Sequence, residues 1–105
     1  FKLKTKANVG VTTVGIYTAP AATTTDVIGI TMANTSGSGV NVGVGITRAG
    51  TTEDVKLLKN APIPQGSSLE FMGGNKVVLE TTDTVTVDSD TNNSVDATLT
   101  IMEIT

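Results

Sequence analysis

The sequence predicts an all-β chain, an antiparallel β-sandwich of jelly-roll or immunoglobulin-like type with about eight to nine strands. Three observations lead there. Thr supplies 20 of the 105 residues, and its branched Cβ is stiff and suits a pleated, half-exposed surface. Apolar residues recur with a period of two through most of the chain, which is the spacing of half-buried strands. Turn-forming residues punctuate that pattern at short intervals, and no stretch of about ten residues carries helical spacing. At this length one domain spanning residues 1–105 is expected.

The elements follow in order. Phe1-Lys2-Leu3-Lys4-Thr5-Lys6 alternates Lys with apolar or neutral residues, a strand with one wet cationic face. Ala7-Asn8-Val9-Gly10 turns the chain. Thr12 to Thr18 alternates again, with Val14 and Ile16 on one side, and Ala19-Pro20-Ala21-Ala22 ends it because Pro cannot donate to a ladder. Thr23 to Asn34 is a long strand. Ile28, Ile30 and Met32 share one face, and Val27, Gly29, Thr31 and Ala33 share the other. Thr35-Ser36-Gly37-Ser38-Gly39 reads as the most flexible loop, with no anchoring side chain.

Val40, Val42, Val44 and Ile46 alternate with Asn41, Gly43, Gly45 and Thr47, a half-buried strand with a bare outer face. Arg48-Ala49-Gly50 turns. Asp54 to Lys59 is a strand with Val55 and Leu57 inward, and Asn60 to Gly66 is a loop stiffened by Pro62 and Pro64. Ser68–Met72 and Lys76–Glu80 flank Gly73-Gly74-Asn75 as a hairpin. Thr84 to Asp88 follows, with Val85 and Val87 inward. Ser89 to Ser94 is a polar loop. Val95, Ala97, Leu99 and Ile101 line the inner face of the last strand.

Composition narrows the chemistry. There is no His, Cys or Trp, the types most used for acid–base work, thiol chemistry and aromatic platforms. Without cysteines the chain forms no disulfide, so the fold must stand on its own packing or on packing against neighbours. Aromatics make up 3% of the chain (Phe1, Tyr17, Phe71). An aliphatic core of this kind predicts modest stability for a monomer, which assembly would raise by burying more surface. The net charge of −3 and pI of about 4.6 argue against nucleic acid, whose phosphates need a positive face. No run reaches the ~18 apolar residues of a membrane helix. No signal peptide is visible, and a chain beginning at Phe1 fits a trimmed leader.

Candidate sites each carry competing readings. Lys2, Lys4 and Lys6 share one face of a terminal strand: either they meet an acidic partner, or they keep an edge strand from aggregating. Gly43 and Gly45 mark a close subunit contact, a saccharide platform or a strand kink. Asp88-Ser89-Asp90-Thr91-Asn92-Asn93 opens like a calcium loop, with Asp83 and Asp96 within possible reach. However, Asn93 and Leu99 stand where such a loop needs Gly and a bidentate Glu. A solvated turn built on Asx chemistry is the simpler reading. Asn34-Thr35-Ser36 and Asn92-Asn93-Ser94 match the glycosylation pattern, which means little without a secretory signal. Glu53-Asp54 and Asp88/Asp90 are the only near-paired carboxylates worth weighing for glycoside chemistry. A chain this small and poor in aromatics is a weak host for it. No catalytic residue, cofactor or metal ligand is assigned, and no enzyme activity is expected.

Several segments carry a resemblance: Phe1-Lys2-Leu3-Lys4-Thr5-Lys6-Ala7, Val14-Gly15-Ile16-Tyr17-Thr18-Ala19-Pro20-Ala21 followed by Thr23-Thr24-Thr25, and Ala61-Pro62-Ile63-Pro64-Gln65-Gly66-Ser67-Ser68-Leu69. Lys76-Val77-Val78-Leu79-Glu80 with Asp83-Thr84-Val85, and Ser94-Val95-Asp96-Ala97 with Glu103-Ile104-Thr105, belong to the same pattern. Across its whole length the chain resembles short virion structural proteins of tailed bacteriophages, marine and cyanobacterial ones in particular. The resemblance implies a non-enzymatic particle subunit. The place expected is the capsid surface, as a decoration or cement protein bridging capsid subunits through buried interfaces.

The implied partners are the major capsid protein or other virion subunits, together with copies of the chain itself, a trimer by analogy. Phe1, Lys2, Lys4, Lys6, Gly43 and Gly45 are the expected contact residues. A tail, neck, baseplate or fibre-base subunit is the first alternative. A carbohydrate-binding module is the second, and it requires Tyr17 or Phe71 on an open face or a calcium-organised loop.

Overall fold

A computed structural model describes residues 1–48, 53–71 and 77–104, with the side chain of Phe71 outside that set. Nine strands are found among them: β1 (Lys2–Val9), β2 (Val14–Thr18), β3 (Thr24–Asn34), β4 (Val40–Arg48), β5 (Glu53–Ile63), β6 (Ser68–Phe71), β7 (Val77–Leu79), β8 (Thr84–Ser89) and β9 (Val95–Ile104). No helix occurs among the described residues. The turns expected at Arg48-Ala49-Gly50 and Gly73-Gly74-Asn75 lie wholly or partly outside them.

The strands form two antiparallel sheets packed as a sandwich. One runs β1-β9-β3-β6, with β7 also on β3, and the other runs β2-β8-β4-β5. The partners nest about the β4–β5 connection. β4 pairs β5, β3 pairs β6 and β7, β2 pairs β8, and β1 pairs β9. This long nested ribbon is rolled up by two further pairings, β3 with β9 and β4 with β8. That is the jelly roll, the first of the two expected sandwich types.

The Ser68–Glu80 stretch does not form the expected hairpin. β6 pairs Ile30–Ala33 and β7 pairs Thr25–Val27 of the same strand, so the two are successive pieces of one edge strand and not partners of each other.

The inner faces supply the core. Val95, Ala97, Leu99 and Ile101 of β9 are buried, as are Val40, Val42, Val44 and Ile46 of β4 and Val85 and Val87 of β8, all as the alternation predicted. Each fully buried Leu or Ile contributes about 1.5–3 kcal/mol. The outward faces explain the Thr content. Thr5, Thr98 and Thr31 stand in one cross-strand row, and Thr18, Thr84 and Thr47 in another, where branched side chains pair well.

Bulges alter the facing at three positions read from the alternation. An extra residue reverses the in–out parity of all that follows it. Ile16 is the extra residue in β2, so Tyr17 takes the buried place opposite Val85 and Ile16 is left only partly buried against the core. Ile28 is the extra residue in β3, so Val27 and Ile30 both point inward. In β5, Leu57 has no partner on β4 and Leu58 stands opposite Val44, yet both pack half-buried against the core, while Val55 stays beside Ile46 but is 39% exposed at the sheet edge. β1 runs on through its expected turn to Val9, past Asn8 in the left-handed region (φ 58). β5 likewise runs on to Ile63 through Asn60 (φ 56) and Pro62, and an edge strand tolerates Pro because one side of its ladder is unused.

Candidate partner-contact surface

β1 is the edge of its sheet and lies beside β2, the edge of the other, at one flank of the sandwich. Its register places Lys2, Lys4 and Lys6 opposite Ile101, Leu99 and Ala97. Directly opposed residues share a face, so the three lysines lie on the core-facing side of the sheet, over the open flank. Lys2 and Lys6 are exposed and Lys4 is half-buried, so the expected wet cationic face lies at this flank. The outward face of β1 carries Leu3 and Thr5, opposite Thr100 and Thr98.

Lys2 and Lys4 meet a polar cluster at this flank. Lys2 Nζ lies 2.7 Å from Glu103 Oε1. Glu103 Oε2 accepts a hydrogen bond from the Tyr17 hydroxyl at 2.7 Å. That hydroxyl lies 2.8 Å from Thr25 Oγ1, and because Tyr17 gives its proton to Glu103, Thr25 is the donor to Tyr17. Lys4 Nζ sits 5.9 Å from the centroid of the Tyr17 ring, within cation–π range. Ion pairing with Lys2, then the Tyr17 hydrogen bond, hold the Glu103 carboxyl below its ordinary 4.5. Burial, and secondarily Glu103, push the Tyr17 phenol above its ordinary 10.0 against the opposing pull of Thr25. Tyr17 is 7% exposed, so it offers no open sugar platform. The Phe71 side chain is outside the described residues.

Phe1 and Leu3 are the two most exposed large apolar residues described, at 87% and 64%. Val78 and Ile104 are also exposed. Ile104 alternates outward with Met102 along β9, and Val78 stands opposite Asp26, which in turn pairs Met102. Leu3, Met102, Ile104 and Val78 therefore lie on the outward face of one sheet.

Gly43 and Gly45 sit at register shifts between β4 and β5 and are buried. The close approach that their bareness suggested occurs within the chain. A Cβ on Gly43 would stand 2.5 Å from Asp88 Oδ1 and 3.3 Å from Leu58 O, and one on Gly45 would stand 2.9 Å from Val55 O and 3.2 Å from Thr86 Oγ1. The space above these glycines is filled by β5 and β8, while β4 itself runs unbroken along β8.

The acidic loop disperses its oxygens. Asp88 Oδ2 accepts from Thr13 at 3.0 Å, and Asp90 Oδ1 accepts from the Asn41 amide at 3.1 Å. Asp96 Oδ1 accepts from the Asn8 amide at 3.0 Å. Asp83 lies at the opposite end of β8, where it is buried against Arg48. Arg48 Nε stands 3.0 Å from Asp83 Oδ2 but off the N–H line, so the contact is an ion pair without a hydrogen bond. Among the described residues no three acidic, His or Cys side chains converge as a metal site would need, and no pocket opens. Glu53 and Asp54, being consecutive on β5, point to opposite faces.

Sequence reasoning missed Asn34. Its amide donates to Ser38 O at 2.8 Å and Ile63 O at 2.9 Å, and its Oδ1 accepts from Ser36 N and Oγ. It anchors the loop expected to be the most flexible, and its buried amide is spent on that task. No family model, curated protein or solved structure matches this chain.

Proposed function

We propose that the chain is a non-enzymatic structural subunit of a tailed-phage particle, placed on the capsid surface as a decoration protein. It acts by burying interface area against the major capsid protein and against copies of itself, a trimer by analogy. The observation that carries this reading is β1. An edge strand that carries exposed Leu3 and three lysines, with exposed Phe1 just before it, is the kind of surface whose free energy falls when a neighbour covers it. The whole-chain resemblance to phage structural proteins supports the same reading. Gly43 and Gly45 drop out of the contact set, because β5 and β8 already fill the space over them.

The test is location. Purified particles of the phage that encodes this chain contain it in the expected outcome, and reconstruction places it on the shell in icosahedral register. Its recovery at the tail or baseplate would move it to that part of the particle. Its absence from purified particles would overturn the proposal.

A further inference from the structure

We propose that β1 accepts an extended segment of a partner protein as an added edge strand, and that this segment alternates carboxylate with apolar side chains. The inference rests on β1 being the contact element and goes on to name the chemistry of what it contacts. Of the sandwich's edges, β1 presents the straight one. Lys2 to Lys6 pair β9 in unbroken register, whereas β5 is shifted twice, β2 is bulged within five residues, and the β6/β7 edge is split in two. A straight edge is what strand addition uses, with main-chain hydrogen bonds giving affinity and alternate side chains giving specificity.

The side chains set the sign. Lys4 and Lys6 have no ion-pair partner among the described residues, and both project to the same side of the strand as Lys2. A second copy adding its own β1 on the same faces would set Lys against Lys, which is repulsive in directly opposed pairs. The occupant is therefore of opposite charge on that face. Its intervening residues fall beside Leu3 and Thr5 on the outward face, where apolar or β-branched side chains pair best.

The probes are three synthetic heptapeptides: alternating Glu-Val, alternating Lys-Val, and one of the Glu-Val composition in block order. Binding is read from chemical-shift changes and amide protection along β1. The alternating Glu-Val peptide binds about ten-fold more tightly than the Lys-Val peptide, from two or three cross-strand charge pairs. Its advantage shrinks as salt is raised, and the block peptide binds more weakly. Lys6→Glu, at an exposed position, reduces the preference, and Lys4→Glu/Lys6→Glu reverses it. If the double variant fails to fold by circular dichroism, Lys6→Glu and the peptide comparison suffice. Equal binding of all three peptides, protection away from β1, or no binding would overturn the proposal. A chain found on particles that ignores the Glu-Val peptide would keep its location and lose this partner chemistry, so the two tests fail separately.

Discussion

The Tyr17 hydroxyl donates to Glu103 at 2.7 Å, and that one bond ties β2 of one sheet to β9 of the other. The same carboxylate holds Lys2 at 2.7 Å. A buried phenol, a carboxylate and an N-terminal lysine thus connect the core to the edge strand proposed as the contact element. The cluster adds a side-chain tie to the main-chain ladder that holds β1 on β9.

Tyr17→Phe keeps the ring in the core and removes two hydrogen bonds, leaving Thr25 and Glu103 short of a partner. The expected cost is about 1–2 kcal/mol, a fall in Tm of about 5–10 °C for a chain of this size. Thermal unfolding followed by circular dichroism reads it, together with faster amide exchange in β1. An unchanged Tm would show that the cluster contributes nothing to stability.

Tyr17 is the sole tyrosine, so ultraviolet titration reports it without interference. Burial and Glu103 place its ionisation above 10.0 in the folded chain. Glu103→Gln removes the neighbouring charge and moves the titration down. Thr25→Val removes the hydrogen bond that favours the phenolate and moves it up. Shifts of the opposite sign would mean that the cluster is wired differently.

Glu103 governs the acid side. Its folded-state pKa is below the ordinary 4.5, so the unfolded chain takes up its proton first as pH falls. Its stabilising contribution is therefore fully present above about pH 4.5 and is lost as pH drops through the lower folded value. Denaturant titrations at successive pH values find a shallower acid loss of stability in Glu103→Gln than in the parent chain. Parallel curves would assign the acid sensitivity elsewhere.

Two glycines give opposite outcomes. At Gly45 a Cβ meets Val55 O at 2.9 Å, backbone that cannot move aside cheaply, so Gly45→Ala destabilises by about 1–3 kcal/mol. At Gly29 nothing lies within 4 Å, so Gly29→Ala stabilises by about 0.5–1 kcal/mol through the cost of Gly in a strand. Denaturant midpoints compare them directly, and equal effects would contradict the packing described around Gly45.

Much of the fold was legible because period-two alternation is a local signal. β4, β8 and β9 read true residue by residue, since no bulge interrupts their inward sets. The errors gather where facing is decided by a partner strand. Ile16, Ile28 and Leu57 are each the extra residue opposite a continuous neighbour, and nothing in their own flanking sequence marks a skipped rung. The Ser68–Glu80 stretch looked like a hairpin because its glycines satisfy turn chemistry, yet β3 outcompetes self-pairing by offering both halves a ladder. The lysines of β1 read correctly as one solvated cationic row, but the side of the sheet they occupy was not legible. An isolated edge strand carries no sign of which side its sheet buries, and charges on the inner side are tolerable only because the flank is open. Asn34 reads as the polar end of a strand; its bonds to Ser36 and Ser38 are local, but its burial and its bond to Ile63 O depend on a distant segment.

Amide exchange of β1, compared between the free chain and the chain bound to its particle, tests the central claim most directly. The account predicts that Lys2–Lys6 amides pointing away from β9 exchange freely in the isolated chain and become strongly protected on the particle, while the β5 edge changes little. Unchanged β1 exchange on a fully occupied particle would contradict it.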